Sequence, residues 1–177
     1  MAENTHHEGI LRYSIAPAPK LEKHVQEDAE RYIKALLNEL DYVGVLTLEL
    51  FETTDGLVAN EMAPRVHNSG HWTIEGAMTS QFENHLRAVQ GLPLGATNAI
   101  APTCMVNVIG LEGDNAALLA IADTHLHRYD KAERPGRKLA HVNVVASSHA
   151  ELLEKVRACQ ALIPDAPPVE WSFESTL

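Results

Sequence analysis

The sequence predicts an α+β fold on three observations. Helical and strand-like periodicities both occur in each half of the chain. Turn and cap signals separate the periodic runs, with strands gathered in groups rather than alternating strictly with helices. The run GATNAIAPT carries neither period and sets a boundary near Ala99–Pro102.

In order along the chain, a short β-like run around Ile10–Ile15 is stopped by prolines. KLEKHVQEDAERYIKALLNEL then places Leu21, Val25, Ala29, Ile33, Leu36 and Leu40 on one stripe, the spacing of an amphipathic helix. YVGVLTLELF and LVANEM follow as two strands of a hairpin around ETTDG. SQFENHLRAVQGLPL reads as a helix opened by a Ser80/Glu83 capping box and ended by Gly91 and Pro93. Beyond the boundary come strand CMVNVIG, helix DNAALLAIA, strand THLHRYD, turn RPGRK and strand AHVNVVA. A final helix, HAELLEKVRACQALI, has Ser148 and Glu151 at its start. PDAPP, Pro164–Pro168, terminates it.

Composition narrows the function classes. The 177 residues suffice for one domain, or one with a small second, and the 45% hydrophobic content suits a packed core. A net charge of −10 argues against a nucleic-acid-binding surface, so an anionic ligand needs a local basic cluster. Cys104 and Cys159 lie far apart without metal-like spacing, which points to a reduced compartment. No apolar run approaches the roughly 18 residues of a membrane span, and no leader pattern is present, so the expectation is a cytoplasmic protein without a membrane.

Three constellations carry chemistry. A three-residue turn over Thr54, Asp55 and Gly56 sets Glu49 directly opposite Glu61 on one face of the hairpin. Facing like charges destabilise a strand pair unless something compensates: a divalent cation, a neighbouring Lys or Arg, or open solvent. Behind Glu61, APRVHNSGHW gathers Arg65, a fork for carboxylate or phosphate, with His67, Asn68, Ser69 and Gly70. His67 and His71 form an i,i+4 pair, but the Asn-Ser-Gly between them is poor helix material for a zinc site. Finally, RYDKAERPGRK collects Arg128, Lys131, Arg134, Arg137 and Lys138 about a Pro-Gly turn; it suits a phosphate, or is a solvated hairpin tip.

The order of these pieces resembles a known family. GVLTLELFETTDGLVANEMAPRVHNSGHWTIEGAMTSQFENHLRAVQGLPLG is similar to the C-terminal part of the ATP-grasp domain of the N5-carboxyaminoimidazole ribonucleotide synthetases. HLHRYDKAERPGRKLAHVNV resembles that family's small C-terminal domain, and ENTHHEGIL its EN-x-H-x-x-GIL segment. The resemblance implies an ATP-grasp part with an antiparallel sheet and helices over residues 1–99, then a small α/β domain over 100–177. It implies an ATP-dependent carbon–nitrogen ligase of purine biosynthesis. ATP and bicarbonate give carboxyphosphate, which carboxylates 5-aminoimidazole ribonucleotide. Glu49 and Glu61 then take the Mg²⁺ positions. Arg65, His67 and Asn68 line the carboxyphosphate pocket, Lys131, Arg137 and Lys138 grip the ribonucleotide phosphate, and Arg87 is a further candidate for that substrate. The family is homodimeric.

Ala63 stands where many ATP-grasp enzymes have a metal-binding Asn; the synthetases share the alanine, which leaves two carboxylates as ligands. The family's first domain and ATP-capping lobe have no counterpart in the sequence, so the expectation is the C-terminal half, inactive by itself and prone to associate. A formate-using transformylase of the same pathway and a stand-alone ribonucleotide-binding module are the competing readings.

Overall fold

The computed structural model describes residues 1–169; residues 170–177, the end of the expected second segment, lie outside it. Strands β1 (Glu3–His7) and β2 (Ile10–Ala16) form an N-terminal hairpin, followed by helix α1 (Lys23–Glu39). β3 (Thr47–Thr53) and β4 (Gly56–Ala63) form a separate two-stranded ribbon. After a 3₁₀ turn at Asn68–Gly70 come α2 (Thr73–Gly76) and α3 (Gln81–Val89). β5 (Thr103–Ile109), α4 (Asn115–Leu119), β6 (Thr124–Arg128), β7 (Lys138–Val145) and α5 (His149–Leu162) complete the described chain. The fold is α+β, with antiparallel pairing throughout.

The larger sheet has the order β1-β2-β5-β7-β6. It therefore takes strands from both sides of the 99/100 division, with Tyr13 opposite Val106. Its two faces differ because side chains alternate along each strand. One face supplies Tyr13, Val106, Val142 and Val144, which pack under Leu152 and Val156 of α5 in a single apolar core. Cys104 and Cys159 are buried thiols of that core. The opposite face carries Asn107, His141 and Asn143, all buried, beneath the segment that runs from the 3₁₀ turn through α2.

Both serine caps form: Ser80 Oγ accepts from Glu83 N–H and Ser148 Oγ from Glu151 N–H, each at 3.2 Å. The reciprocal half of the capping box does not. Glu83 turns to Arg87, and Glu151 accepts from Ser147 N–H at 2.9 Å instead of Ser148. On α1 only Val25 and Ala29 of the expected stripe are buried, and Leu40 is 52% exposed. The ribbon is likewise open outside, where the cross-strand pair Phe51 and Val58 is exposed. Among the described residues, no helix is long and apolar enough to cross a membrane.

Close approach of α2 to the sheet requires Gly76. A Cβ there would lie 2.5 Å from Thr103 Oγ1 and 2.9 Å from Trp72 Cε3, and Thr103 is fully buried. Gly76→Ala is expected to cost about 1–3 kcal/mol by overpacking, read as a lower urea midpoint at unchanged slope.

Candidate functional site

The ribbon's geometry reaches the expected pairing by another route. Thr53 pairs with Gly56, so the turn has two residues rather than three. A register shift between Glu49 and Leu50 then leaves Asn60 as an extra residue, and from there Glu49 faces Glu61. A bulge of this kind re-aims side chains beside functional sites. Glu49 is buried, and its oxygens accept from the amides of Asn4 (3.5 Å) and Asn60 (3.4 Å), both long bonds. Glu61 is half-exposed. A cavity of about 720 Å³ opens beside Glu49, with Leu50, Asn60 and Trp72 in its wall.

Pro64 ends β4 and the following loop folds back over the two carboxylates. His67 lies between them, Nδ1 3.7 Å from Glu49 and Nε2 3.8 Å from Glu61. These are close approaches of a neutral ring rather than salt bridges. Burial holds the His67 pKa below its ordinary value despite both glutamates. Nδ1 also accepts from Ser69 N–H (3.4 Å) and lies 2.8 Å from Ser69 Oγ, which leaves the ring proton on Nε2, toward Glu61. His71 Nδ1 lies 2.9 Å from Gln81 Nε2. Asn68 opens the 3₁₀ turn with a buried, unpartnered Oδ1, and Arg65 lies 3.9 Å from Glu61.

The basic residues divide. Burial, then the charges of Lys131 and Arg65, push the Lys138 ammonium down to about 8; Lys138 in turn acts on His67. Arg65, His67, Lys131 and Lys138 thus share one electrostatic neighbourhood. Lys131 Nζ sits 5.1 Å from the Tyr129 ring centroid, and among the described residues neither lysine has a carboxylate within salt-bridge reach. Arg137 bonds Ala132 O at 3.4 Å and is not among the charges acting on Lys138. Arg128 is taken by Glu112. Arg87 is held on α3 by Glu83 and Pro93 O, outside this group.

A polar network joins the loop to the larger sheet, and sequence reasoning missed it. Gln81 bonds both backbone groups of His67 and the ring of His71. Asn143 donates to His71 O (2.9 Å) and to Glu75, whose other oxygen meets His127 Nε2 at 2.9 Å. The His141 ring stacks on His127 (4.5 Å), neighbours His71 (4.9 Å) and bonds Tyr129 Oη at 2.6 Å. The available signal was polar residues within largely apolar strands, Asn107 in β5 and, two positions apart in β7, His141 and Asn143.

Two metal-capable carboxylates, an imidazole N–H and two unpaired lysines suit a cation bridged to oxyanions. Glu49 and Glu61 offer the hard oxygen donors that Mg²⁺ takes, and among the described residues the buried Glu49 has the neutral His67 ring beside it and no Lys or Arg.

The ATP-grasp domain family matches residues 1–82, and the phosphoribosylaminoimidazole carboxylase C-terminal domain family matches residues 103–155. The N5-carboxyaminoimidazole ribonucleotide synthase of Pseudomonas aeruginosa is 50% identical over 163 residues, 92% of this chain and 44% of that protein. Its counterpart in Escherichia coli is 46% identical over 168 residues, 95% and 46%. The crystal structure of the synthetase from Thermus thermophilus superposes with a TM-score of 0.92 at 50% identity, covering 95% of this chain and 47% of that one. A synthase from Aspergillus clavatus, solved with ADP and 5-aminoimidazole ribonucleotide, superposes with a TM-score of 0.84 at 31% identity, covering 92% and 46%. The chain spans about half the length of the curated relatives it matches.

Proposed function

Because the chain belongs with the N5-carboxyaminoimidazole ribonucleotide synthases, whose C-terminal half it matches, we propose that it carries the phosphate-handling side of that reaction. The reaction is the ATP-dependent carboxylation of 5-aminoimidazole ribonucleotide by bicarbonate, through carboxyphosphate, in purine biosynthesis. In this reading residues 1–99 are the end of the ATP-grasp domain and 100–177 the small C-terminal domain. The observation that supports it best is Glu49 facing Glu61 with the His67 ring between them.

Glu49 and Glu61 would hold Mg²⁺, which supplies charge neutralisation to the nucleotide phosphates. Arg65 holds the carboxyphosphate oxygens and compensates the charge that develops on them. His67, with its proton on Nε2, donates to that anion and does not act as a base. Asn68 takes the reacting group's remaining donor on its unpartnered Oδ1. The ribonucleotide's amine attacks the carboxyphosphate carbon, the C–O bond to phosphate breaks, and the departing phosphate takes the proton that the amine gives up. Lys131, Arg137 and Lys138 orient the ribonucleotide by its own phosphate, with Arg87 as a more distant contributor. The intact protein is proposed to be a cytoplasmic homodimer.

Titration calorimetry tests this on the 177-residue chain. Mg²⁺·ADP and 5-aminoimidazole ribonucleotide are both expected to bind, whereas binding of the ribonucleotide alone favours a stand-alone binding module. A coupled assay is expected to show no bicarbonate- and ribonucleotide-dependent ADP release from this chain alone; turnover would contradict that.

A further inference from the structure

We infer that Gln81 is the positioning residue of the anion pocket, its side-chain amide standing in for a neighbouring strand against the backbone of His67. His67 is buried and its backbone is extended, at φ −127° and ψ 154°. An extended, buried residue needs partners for both its N–H and its C=O. Among the described residues no strand pairs there; Gln81 Oε1 accepts from His67 N–H at 3.0 Å, and Gln81 Nε2 at 2.8 Å and Gly70 N–H at 3.0 Å both donate to His67 O.

The remaining Nε2 hydrogen goes to His71 Nδ1 at 2.9 Å. The backbone bonds fix which end of the amide faces which way, so His71 Nδ1 must be the acceptor and its ring proton lies on Nε2. Gln81 is itself tied down. It is the first residue of α3, its backbone N–H donates to Thr73 Oγ1 at 3.0 Å, and that hydroxyl donates to Gly70 O at 2.6 Å. Gly70 leaves room for the amide: a Cβ there would run into Gln81 Oε1 and lie 2.8 Å from its Cδ. One side chain thus sets the course of the loop carrying Arg65, His67 and Asn68. It also links that loop through His71 and His141 to Tyr129, which carries Lys131 on its ring face.

The inference rests on the proposed site insofar as His67 belongs to it, and its test separates the two. Amide exchange, imidazole nitrogen spectra and Mn²⁺ relaxation are measured on the wild-type chain, Gln81→Leu and Gln81→Glu. The sheet amides of Val106 and Val142 report that each variant is folded. In the wild type the His67 amide is protected, His71 Nδ1 is unprotonated, and Mn²⁺ broadens the His67 ring signals. Gln81→Leu is expected to speed His67 amide exchange by about tenfold or more, the loss of one buried hydrogen bond, and to weaken the ring broadening while Mn²⁺ affinity stays within about threefold. Gln81→Glu keeps an acceptor for His67 N–H but loses both donors, so His71 is expected to become protonated at Nδ1. Unchanged exchange and an unchanged His71 tautomer in the folded variants overturn the role of Gln81. Absence of Mn²⁺ broadening in the wild type overturns the metal reading instead, and exchange and tautomer still decide on Gln81.

Discussion

Glu49→Gln and Glu61→Gln are each expected to weaken binding of Mn²⁺, used as the probe for Mg²⁺, by on the order of 100-fold or more, because each removes one of the two carboxylate ligands of the proposed site. The two variants are expected to part in stability. Glu61 is half-exposed, so its neutralisation changes little without metal. Glu49 is buried with two long amide bonds. A carboxylate in that position costs stability that a neutral amide does not. Without metal, Glu49→Gln should therefore melt at or above the wild-type temperature, and Mg²⁺·ADP is expected to raise the melting temperature of the wild type and not that of the variant. Calorimetric melts with and without Mg²⁺·ADP, together with Mn²⁺ titrations, check both statements. Wild-type Mn²⁺ affinity in both variants would remove the basis for the metal site.

The second large effect is acid destabilisation well above the range where carboxylates titrate. Burial pushes His71 down to about 4 and His141 to about 3, from ordinary values near 6.5. The unfolded chain then binds protons that the fold refuses. Stability from this source is complete above pH 6.5 and is lost as pH falls, until the folded rings themselves protonate near 4 and 3. Each histidine contributes a slope of up to about 1.4 kcal/mol per pH unit. Urea midpoints at pH 7, 6 and 5 should fall accordingly, and His141→Phe should roughly halve the slope. A flat profile across that interval contradicts the neutral, packed histidines.

Much of the fold was legible because its signals are local. Ser80 and Ser148 announce their helices, and both serine caps form, though without the reciprocal glutamate bond of a capping box. α1 shows its period over 17 residues. What was not legible is set by distant partners. β1, the polar run ENTHH, is a strand because β2 pairs with it, not because its residues favour one. In the ribbon, a two-residue turn plus a bulge gives Glu49 the same partner as a three-residue turn without one, so the sequence could suggest the pairing but not its cause. The basic turn read as one cluster, yet Arg128 finds Glu112 across the surface and leaves the group. The buried network failed for the same reason. Gln81, Glu75 and Asn143 are unremarkable singly, and only the crossing of residues 67–81 over the sheet joins them.

The shared sheet governs the order in which the chain can mature. β2 finds its second neighbour, β5, about 90 positions further along, so the first hairpin emerges during synthesis long before the strand that completes its edge. Loop closure over that separation delays folding and leaves an unpaired strand edge open to other chains in the interval. A protein cut between α3 and β5 would divide the larger sheet into the hairpin β1-β2 and the three strands β5-β7-β6, with β2 and β5 each left with an unpaired edge.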